Sequence, residues 1–421
     1  MSKVRLLAGI SDEKSRDEDV SAGKFAAGLL LCGVALWMLA ASASAAEGTR
    51  GTVHQIKSYG TPTTMADEQG DNGDSDGNHS DTQPALTGND LGTSGPSAGG
   101  QSPDELLNLP PLPIVQPLPY KILVAEKPSS TVKQKYASHK AGDIVVFYTQ
   151  DIDPGNVGAF NAQGQAKLTG EVNSFVPDVH YKGLIVLDWE GAAYQNLIAN
   201  PGSQMQKSTM AEYIKATQFV RQMRPQAKVS VYGVPPARYW NRDESWVALA
   251  ESVKPLIQQL DCLCPSIYDF YANAQNDDFA EANKAYAKDN ARLALQMAEG
   301  RPVYPFVWPR YHDSNQSWGM RLIPRSEFKA LVTAMAQAEV DGRYINGVVW
   351  WGDDKMLRYV YHHPPEDETS AEYANWKKIK KLFKKEIPSD VSESKFFNDT
   401  HTLVLKDLKT SLMTIPEPPA E

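Results

Sequence analysis

Apolar runs and amphipathic stretches alternate along the chain from Tyr120 onward. Seven apolar runs predict β-strands at 120–125, 143–148, 183–188, 229–233, 263–268, 303–308 and 347–351. Between several of these runs, apolar residues recur at helical spacing, which predicts helices over 209–223, 244–260, 278–297 and 326–340. Strands that alternate with helices in this way indicate a parallel sheet, either open or closed into a barrel.

The ends of the predicted strands favour the closed form. Five of the seven runs end in polar or aromatic residues, namely Tyr148, Asp188 to Glu190, Tyr232, Tyr268 with Asp269, and Trp350 to Asp353. An open doubly wound sheet concentrates its site at one switch point, whereas a barrel gathers site residues from many strand ends. No Gly-rich phosphate loop follows an early strand, which removes the main nucleotide-binding class. We therefore predict an α/β fold, a distorted TIM-like (β/α) barrel of about seven parallel strands over residues 119–390.

The first third of the chain lacks this alternation. Residues 25–46 are apolar or small and end in an Ala/Ser stretch with A-x-A cleavage candidates, so 1–46 is predicted as a signal peptide or, if uncleaved, a signal anchor. Residues 47–118 are rich in Gly, Ser, Asp and Pro, which predicts a disordered linker. We expect an exported domain that is secreted, periplasmic or membrane-anchored, with membrane contact only through the N-terminal segment. Residues 391–421 are assigned to a C-terminal tail.

The most informative chemistry lies at the end of the third run, where Asp188 and Glu190 are separated by one residue. Side chains alternate across a strand, so both carboxylates point to the same face. Two carboxylates held close together do not easily both ionise, and the one with the higher pKa stays a proton donor near neutral pH. Such a pair is typical of a glycoside hydrolase, although an isolated Asp-x-Glu more often marks a solvated strand end or a salt-bridged pair.

The order of several motifs resembles that of the hyaluronidase family of glycoside hydrolases. The matching segments are VVFY at 145–148, LDWE at 187–190, SVYGVP at 230–235, CPSIY at 264–268 and GVVWWG at 347–352, collinear over about 142–390. The resemblance implies a distorted barrel of about seven strands. It also implies retaining, substrate-assisted cleavage of N-acetylhexosamine-containing polysaccharides such as hyaluronan or chondroitin, with no metal and no cofactor. We expect a divergent, bacterial member.

The resemblance also implies a role for each site residue. Glu190 would protonate the glycosidic oxygen, and Asp188 would orient the acetamido nitrogen while the N-acetyl group attacks its own anomeric carbon. Tyr232 and Tyr268 match positions that hold the acetamido carbonyl and shape the adjacent subsite, and Trp351 matches the aromatic that packs on the N-acetyl methyl group. A lone Tyr or Trp is more often a core or rim residue, and that interpretation is kept for four further aromatics, Trp189, Trp308, Trp350 and Tyr271.

The sequence departs from the family after the carboxylates. Residues 191–196 read GAAYQN where the family continues with a Trp and an Arg-Pro pair, and the family's characteristic cysteines are missing. The sequence therefore supports the cleavage of N-acetylhexosamine bonds better than it supports hyaluronan as the particular substrate. Two alternatives stay open. One is a catalytically weak barrel that binds glycans, and the other is a cell-wall hydrolase that cleaves peptidoglycan.

Charge and cysteine content narrow the remaining possibilities. The net charge of −9 and the lack of a basic stripe with aromatics argue against nucleic-acid binding. Four loop residues, Arg238, Arg242, Arg310 and His312, are either ligands of an anionic glycan or ordinary surface charges. The basic amphipathic helix predicted at 376–385 is expected to dock its apolar side on the barrel and leave its lysines solvated. Cys262 and Cys264 are expected to be buried free thiols because neighbouring strand positions rarely have disulfide geometry.

Overall fold

Seven parallel chain segments form a closed barrel in the computed structural model, which describes residues 101–352 and 354–416. The strands are β1 (Ile122–Val124), β2 (Ala141–Asp143), β3 (Val145–Tyr148), β4 (Leu184–Asp188), β5 (Lys228–Val231), β6 (Phe306–Val307) and β7 (Val348–Trp350). β2 and β3 belong to one segment, 141–148, and the seventh segment is the irregular run 262–268. Each overlaps a predicted apolar run. The predicted signal segment at 1–46 and the linker up to residue 100 lie outside the described residues.

Two irregular segments close the barrel. β2 pairs with β1 and β3 pairs with β4, so the single run 141–148 changes partner at Ile144, whose N–H donates to the Val124 carbonyl over 3.0 Å. The run 262–268 joins β5 to β6 through parallel bridges from Tyr232 to Cys264 and from Ser266 to Phe306. β6 then pairs with β7, and β7 with β1. The ring is complete, so the prediction of a seven-stranded parallel barrel is confirmed.

Helices surround the barrel and follow most of its strands. They are α1 (Pro103–Leu107), α2 (Ser130–Lys133), α3 (Tyr136–His139), α4 (Thr149–Ile152), α5 (Ala162–Phe175), α6 (Ala192–Ile198), α7 (Gln204–Met223), α8 (Glu244–Ser252), α9 (Lys254–Ile257), α10 (Phe279–Ala298), α11 (Arg325–Ala336), α12 (Asp354–His362), α13 (Ala371–Glu386) and α14 (Glu393–Leu412). The four predicted helices correspond to α7, to α8 with α9, to α10 and to α11. No helix of 101–352 or 354–416 is long and apolar enough to cross a membrane.

The two faces of β4 belong to different parts of the core. Leu184 and Val186 pack in a cluster that also contains Leu123, Phe306 and Val349, the inward-facing side chains of three other strands. The alternate residues Ile185, Leu187 and Trp189 pack in the larger cluster between the barrel and its helices. Both faces are therefore buried, which is why β4 reads as a continuous apolar run.

The predicted linker extends too far along the chain. Residues 103–107 form α1 with Leu106 buried in the core, and the Leu112 N–H donates to the Gln258 carbonyl over 2.9 Å. The segment also receives a hydrogen bond from Arg301, whose Nη2 donates to the Leu112 carbonyl over 3.0 Å. Proline-rich composition obscured these contacts, because they are made by one apolar side chain and by backbone groups.

The assignment of 391–421 to a tail was also wrong for most of its length. Ser392 caps α14, a helix of 20 residues whose apolar stripe is buried. Arg325 forms a bidentate ion pair with the Asp407 carboxylate, with both N–O distances 2.7 Å. α14 therefore packs as an integral helix of the domain. The basic helix predicted at 376–385 lies within α13, where Ile379, Leu382 and Phe383 are buried and the lysines are exposed, as expected.

Candidate active site

Two carboxylates lie at the carboxyl end of β4, at the mouth of the barrel. Asp188 continues the inward-facing row of Leu184 and Val186, and Glu190 follows two residues later. The residue between them, Trp189, faces the opposite way and packs against the ring of Tyr213 on α7 at a centroid distance of 4.8 Å. The predicted alternation is confirmed: the carboxylates share the inner face, and the indole anchors the strand end to the helical layer.

A sharp turn at Gly191 ends the strand and fixes Glu190. Gly191 has a φ of +65°, and a Cβ there would lie 2.2 Å from Oδ1 of Asn156, so a larger residue is excluded. The same Asn156 oxygen accepts a hydrogen bond from the Ala192 N–H over 3.0 Å. The backbone N–H of Glu190 donates to Oγ1 of Thr149 on α4 over 2.8 Å. The loop after β3 therefore holds the end of β4 and Glu190 in place.

The environment of the pair favours protonated carboxyl groups. Asp188 is 7% exposed, and burial, followed by the charge of Glu190, raises its pKa well above the usual range. Burial and then the charge of Asp313 raise the pKa of Glu190 to about 7. One oxygen of Asp188, Oδ1, is buried and has no hydrogen-bond partner among the described residues. A buried acceptor without a donor is costly, so this oxygen is available to a ligand N–H.

The three predicted aromatic residues lie together around the carboxylates. Burial raises the pKa of Tyr232 and of Tyr268, and the charges of both carboxylates reach both hydroxyls and add to the rise. The Tyr232 hydroxyl donates to Oγ of Ser266 over 2.8 Å. Trp351 stacks on the Tyr268 ring at a centroid distance of 5.6 Å and an interplanar angle of 29°. The structure therefore brings all five predicted site residues into one cluster.

Sequence reasoning missed Asp313 and Tyr194. Asp313 lies in the long loop after β6, where one carboxylate oxygen is 3.2 Å from Nδ1 of His312, a ring that stacks on Tyr268. Tyr194 occupies the segment that departs from the family, and its hydroxyl donates to the Gly233 carbonyl over 3.3 Å. Burial and then the charge of Glu190 raise the Tyr194 pKa. The position of Tyr194, four residues after Glu190 on α6, was the available signal; Asp313 had none.

The arginines considered as glycan ligands are engaged by protein carboxylates. Arg310 is fully buried, with Nε 2.8 Å from Oδ1 of Asp354 and Nη1 2.9 Å from Oε2 of Glu386. Arg242 pairs with Asp289 over 3.0 Å, and Arg238 lies 3.8 Å from Asp243. Arg310 is therefore a structural residue, and the sequence concealed this because its partners lie far along the chain.

Free thiols occur within the barrel. Cys262 and Cys264 are both buried and free, as predicted, and pack in the inner cluster with Leu184 and Val186. Among residues 101–352 and 354–416, no group of three or more His, Cys, Asp or Glu side chains is placed to hold a metal ion.

No protein-family model and no curated protein match this sequence. Among solved structures, bee venom hyaluronidase is similar at 14% identity and a TM-score of 0.44, covering 64% of this chain and 98% of that chain. Its complex with a hyaluronic acid tetramer has 13% identity and a TM-score of 0.42, covering 63% of this chain and 96% of that chain. An endo-β-1,4-mannanase from Thermotoga petrophila has 11% identity and a TM-score of 0.35, covering 69% of this chain and 63% of that chain. Similarity this low is no argument for a shared family, activity or substrate.

Proposed function

We propose that this protein is a glycoside hydrolase that cleaves N-acetylhexosamine-containing polysaccharides by a retaining, substrate-assisted mechanism. The observation that carries the proposal is the unpartnered, buried Oδ1 of Asp188 beside Glu190, whose pKa is about 7. A carboxyl group with this pKa is well suited to exchange protons near neutral pH. A buried acceptor next to it suits the N–H of an acetamido group.

The first step forms a ring within the substrate. Glu190 donates its proton to the glycosidic oxygen as the bond from that oxygen to the anomeric carbon breaks. The acetamido carbonyl oxygen attacks the anomeric carbon, and an oxazolinium ion forms while the leaving sugar departs as an alcohol. In the reacting form the coupled pair holds a single proton, on Glu190, so Asp188 is ionised; its unpartnered oxygen accepts the acetamido N–H, and its charge stabilises the developing cation. No enzyme nucleophile is needed, and so the two carboxyls need not flank the bond.

The second step uses the same residue in the opposite direction. The Glu190 carboxylate takes a proton from water as the water oxygen attacks the anomeric carbon, and the oxazolinium ring opens to restore the acetamido group. The two displacements return the original anomeric configuration. Tyr232 and Tyr268 lie beside both carboxyl groups and would enclose the acetamido group, and Trp351 would pack against the N-acetyl methyl group and the sugar face.

Replacement of Glu190 by Gln tests the proposal. The Gln side chain keeps the shape but donates no acidic proton, so hydrolysis should fall by about two to four orders of magnitude while ligand binding persists. Reducing-end release would be measured on hyaluronan, chondroitin, N-acetylglucosamine polymers and purified cell wall, and the anomer formed first would be read by NMR. An unchanged rate in the variant would refute the assignment.

The same panel separates the two alternatives. Turnover restricted to purified cell wall would identify a peptidoglycan hydrolase. Tight binding of the intact protein to one of these glycans, with no reducing ends released, would identify a glycan-binding barrel. The glycan-binding alternative is tested because the segment 191–196, which differs from the hyaluronidase motif, places Tyr194 close to Glu190. An inverted product anomer would keep the hydrolase but exclude the substrate-assisted route.

A further inference from the structure

A group of aromatic rings with one exposed member, Trp240, lies on the same end of the barrel as the carboxylates. We call it the aromatic platform, and it consists of Tyr239, Trp240, Tyr271 and Phe279. Tyr239 and Trp240 follow β5 and Tyr271 follows the run 262–268, so these three project from loops at the carboxyl ends of strands, while Phe279 begins α10. The Trp240 side chain is 46% exposed, although it contacts the other three rings at centroid distances of 4.6 to 6.4 Å.

The platform borders a cavity that has both apolar and polar walls. The cavity has a volume of about 300 Å³ and is lined by Tyr239, Trp240, Asn241, Arg242, Ala282 and Asp289. An aromatic face beside side chains that both donate and accept hydrogen bonds matches a sugar ring, which is apolar on its faces and carries hydroxyls at its edges.

The loop that carries Trp240 is held in one conformation. Oδ1 of the buried Asn290 accepts the Arg238 N–H over 2.9 Å, and its Nδ2 donates to the Arg238 carbonyl over 3.0 Å. The Tyr239 hydroxyl donates to Oδ1 of Asn283 over 2.6 Å, and the Trp240 indole N–H donates to the Tyr271 hydroxyl over 3.2 Å. Because these hydrogen bonds fix the loop, a sugar docking here would cost little further ordering of it.

Contacts between rings connect the platform to the carboxylates. Tyr239 contacts Phe270 at 6.0 Å, Phe270 contacts His312 at 4.7 Å, and His312 stacks on Tyr268 at 6.1 Å. Tyr268 in turn stacks on Trp351. These contacts link the platform to the rings around Glu190, and within this chain of rings Tyr239 and Tyr268 are buried.

The charges around the cavity select against an anionic sugar. Arg242 is paired with Asp289 at 3.0 Å, and Arg238 lies 3.8 Å from Asp243. The nearby loop before α10 adds two exposed carboxylates, Asp277 and Asp278. A uronate would have to compete with Asp289 for Arg242 and would meet these negative charges.

We propose that the platform is a distal subsite for neutral N-acetylated sugars, several sugar units away from the bond cleaved at Glu190. This inference rests on the proposed function and names the substrate as a neutral glycan in preference to a polyanion such as hyaluronan. Trp240 supplies the stacking face, and the Arg242–Asp289 pair with Asn241 supplies hydrogen bonds to hydroxyls. Oligomers long enough to reach from Glu190 to Trp240 are bound more tightly than short ones.

Binding to the full chain carrying Glu190→Gln tests the subsite without turnover. The probes are the β-1,4-linked N-acetylglucosamine dimer and hexamer and a hyaluronan hexamer. Adding Trp240→Ala should weaken binding of the N-acetylglucosamine hexamer about tenfold, whereas Trp240→Phe should recover part of the loss. Phe175→Ala, at a 55% exposed ring that ends α5, is the matched control and should change nothing. The Trp240 indole N–H resonance should shift with the hexamer.

The outcomes separate the subsite from the catalytic proposal. Hexamer affinity that is unaffected by Trp240→Ala, an unshifted Trp240 resonance, or tighter binding of the hyaluronan hexamer through Trp240 would overturn the subsite. Hydrolysis by the unmodified chain is measured separately on the same oligomers. Turnover of the oligomers without any effect of Trp240→Ala would support the hydrolase and exclude the subsite. Binding that depends on Trp240 without any turnover would support the subsite and exclude the hydrolase.

Discussion

At the scale of single residues, the site depends on two carboxyl groups in different surroundings. Asp188 is buried with one oxygen unpartnered, and Glu190 is partly exposed at the mouth of the barrel. Burial raises the pKa of both, and each is also affected by a neighbouring charge. These different surroundings are the basis for the roles proposed for the two carboxyl groups, an acceptor for Asp188 and a proton donor for Glu190.

Replacing Asp188 by Asn should lower kcat by about 100-fold or more, because it removes the negative charge that stabilises the developing cation. The measurement is kcat and KM on an N-acetylated oligomer. Asp341→Asn, at an 85% exposed carboxylate in the turn after α11, is the matched control and should retain the original rate. Equal rates for the unmodified chain and the Asp188 variant would exclude its role in the acetamido step.

Replacing Asp313 by Asn should move the alkaline side of the pH–rate profile to lower pH. The Asp313 charge adds to the effect of burial in raising the Glu190 pKa, so its removal lets Glu190 lose its proton at lower pH. The measurement is kcat/KM against pH. Asp341→Asn, at an 85% exposed side chain remote from the barrel mouth, is the control. A profile that keeps its alkaline limb would show that Asp313 does not act on the acid.

At the scale of elements, the strand end is positioned by its neighbour. β3 and β4 pair in register from Val145 with Ile185 to Tyr148 with Asp188, so α4 begins beside Glu190. Thr149, the first residue of α4, accepts the Glu190 N–H, and its own hydroxyl lies 3.5 Å from the Asp188 carbonyl. Thr149 is thus a positioning residue, since its contacts are with the backbone that carries both carboxyl groups.

Thr149→Val should lower kcat about tenfold with little change in KM, because the side chain fits but the Glu190 N–H loses its acceptor. The same change should cost about 1 kcal/mol of stability. Thr149→Ser keeps the oxygen and should restore kcat. A purely structural role would instead reduce the folded fraction without changing the kcat of the folded protein, which urea denaturation alongside kinetics would reveal.

The sequence predicts the features that depend on residues close together along the chain, and it does not predict those that depend on residues far apart. The shared face of Asp188 and Glu190 follows from alternation within one strand, and the positions of Tyr232 and Tyr268 follow from the ends of apolar runs; the structure brings these four residues together. Asp313 lies in a loop whose course depends on contacts far along the chain, so no local pattern marks it. α14 did carry a signal, an apolar stripe including Phe397, Leu405 and Leu412, that the prediction of a tail overlooked.

At the scale of the whole molecule, the carboxyl end of the barrel combines groups that favour opposite protonation states. Burial alone would raise the Asp354 pKa, but Arg310 and then His401 overcome this and hold it at about 2. Asp269 is buried in the loop after the run 262–268, and desolvation raises its pKa to about 7. The ion pairs of Arg310 join the loop after β6 to α12 and α13, whereas Asp188 and Glu190 have no ion pair among the described residues.

Stability should therefore fall toward both ends of the pH range. Because the Asp354 pKa is lower in the folded protein than in the unfolded chain, where it is near 4, ionised Asp354 stabilises the fold at pH values above about 4. This contribution to stability is lost as the pH falls toward 2. The raised pKa of Glu190 has the opposite effect. Below about pH 4.5 its carboxyl group is neutral in both the folded and the unfolded protein, so burying it costs no charge desolvation, and stability is lost as the pH rises through about 7. Part of the folding free energy is thus lost at neutral pH because Glu190 is buried, a cost that the proposed role of Glu190 as the acid would explain.

Glu190→Gln should consequently stabilise the protein at pH 8 by roughly 2–3 kcal/mol, with no difference near pH 4, where the native carboxyl is also neutral. Urea denaturation of both proteins at pH 4, 6 and 8 measures the gap. Asp277→Asn, at an exposed carboxylate, should show no such widening. A gap that is constant from pH 4 to pH 8 would mean that Glu190 titrates equally in the folded and unfolded chains, and the acid assignment would lose its electrostatic basis.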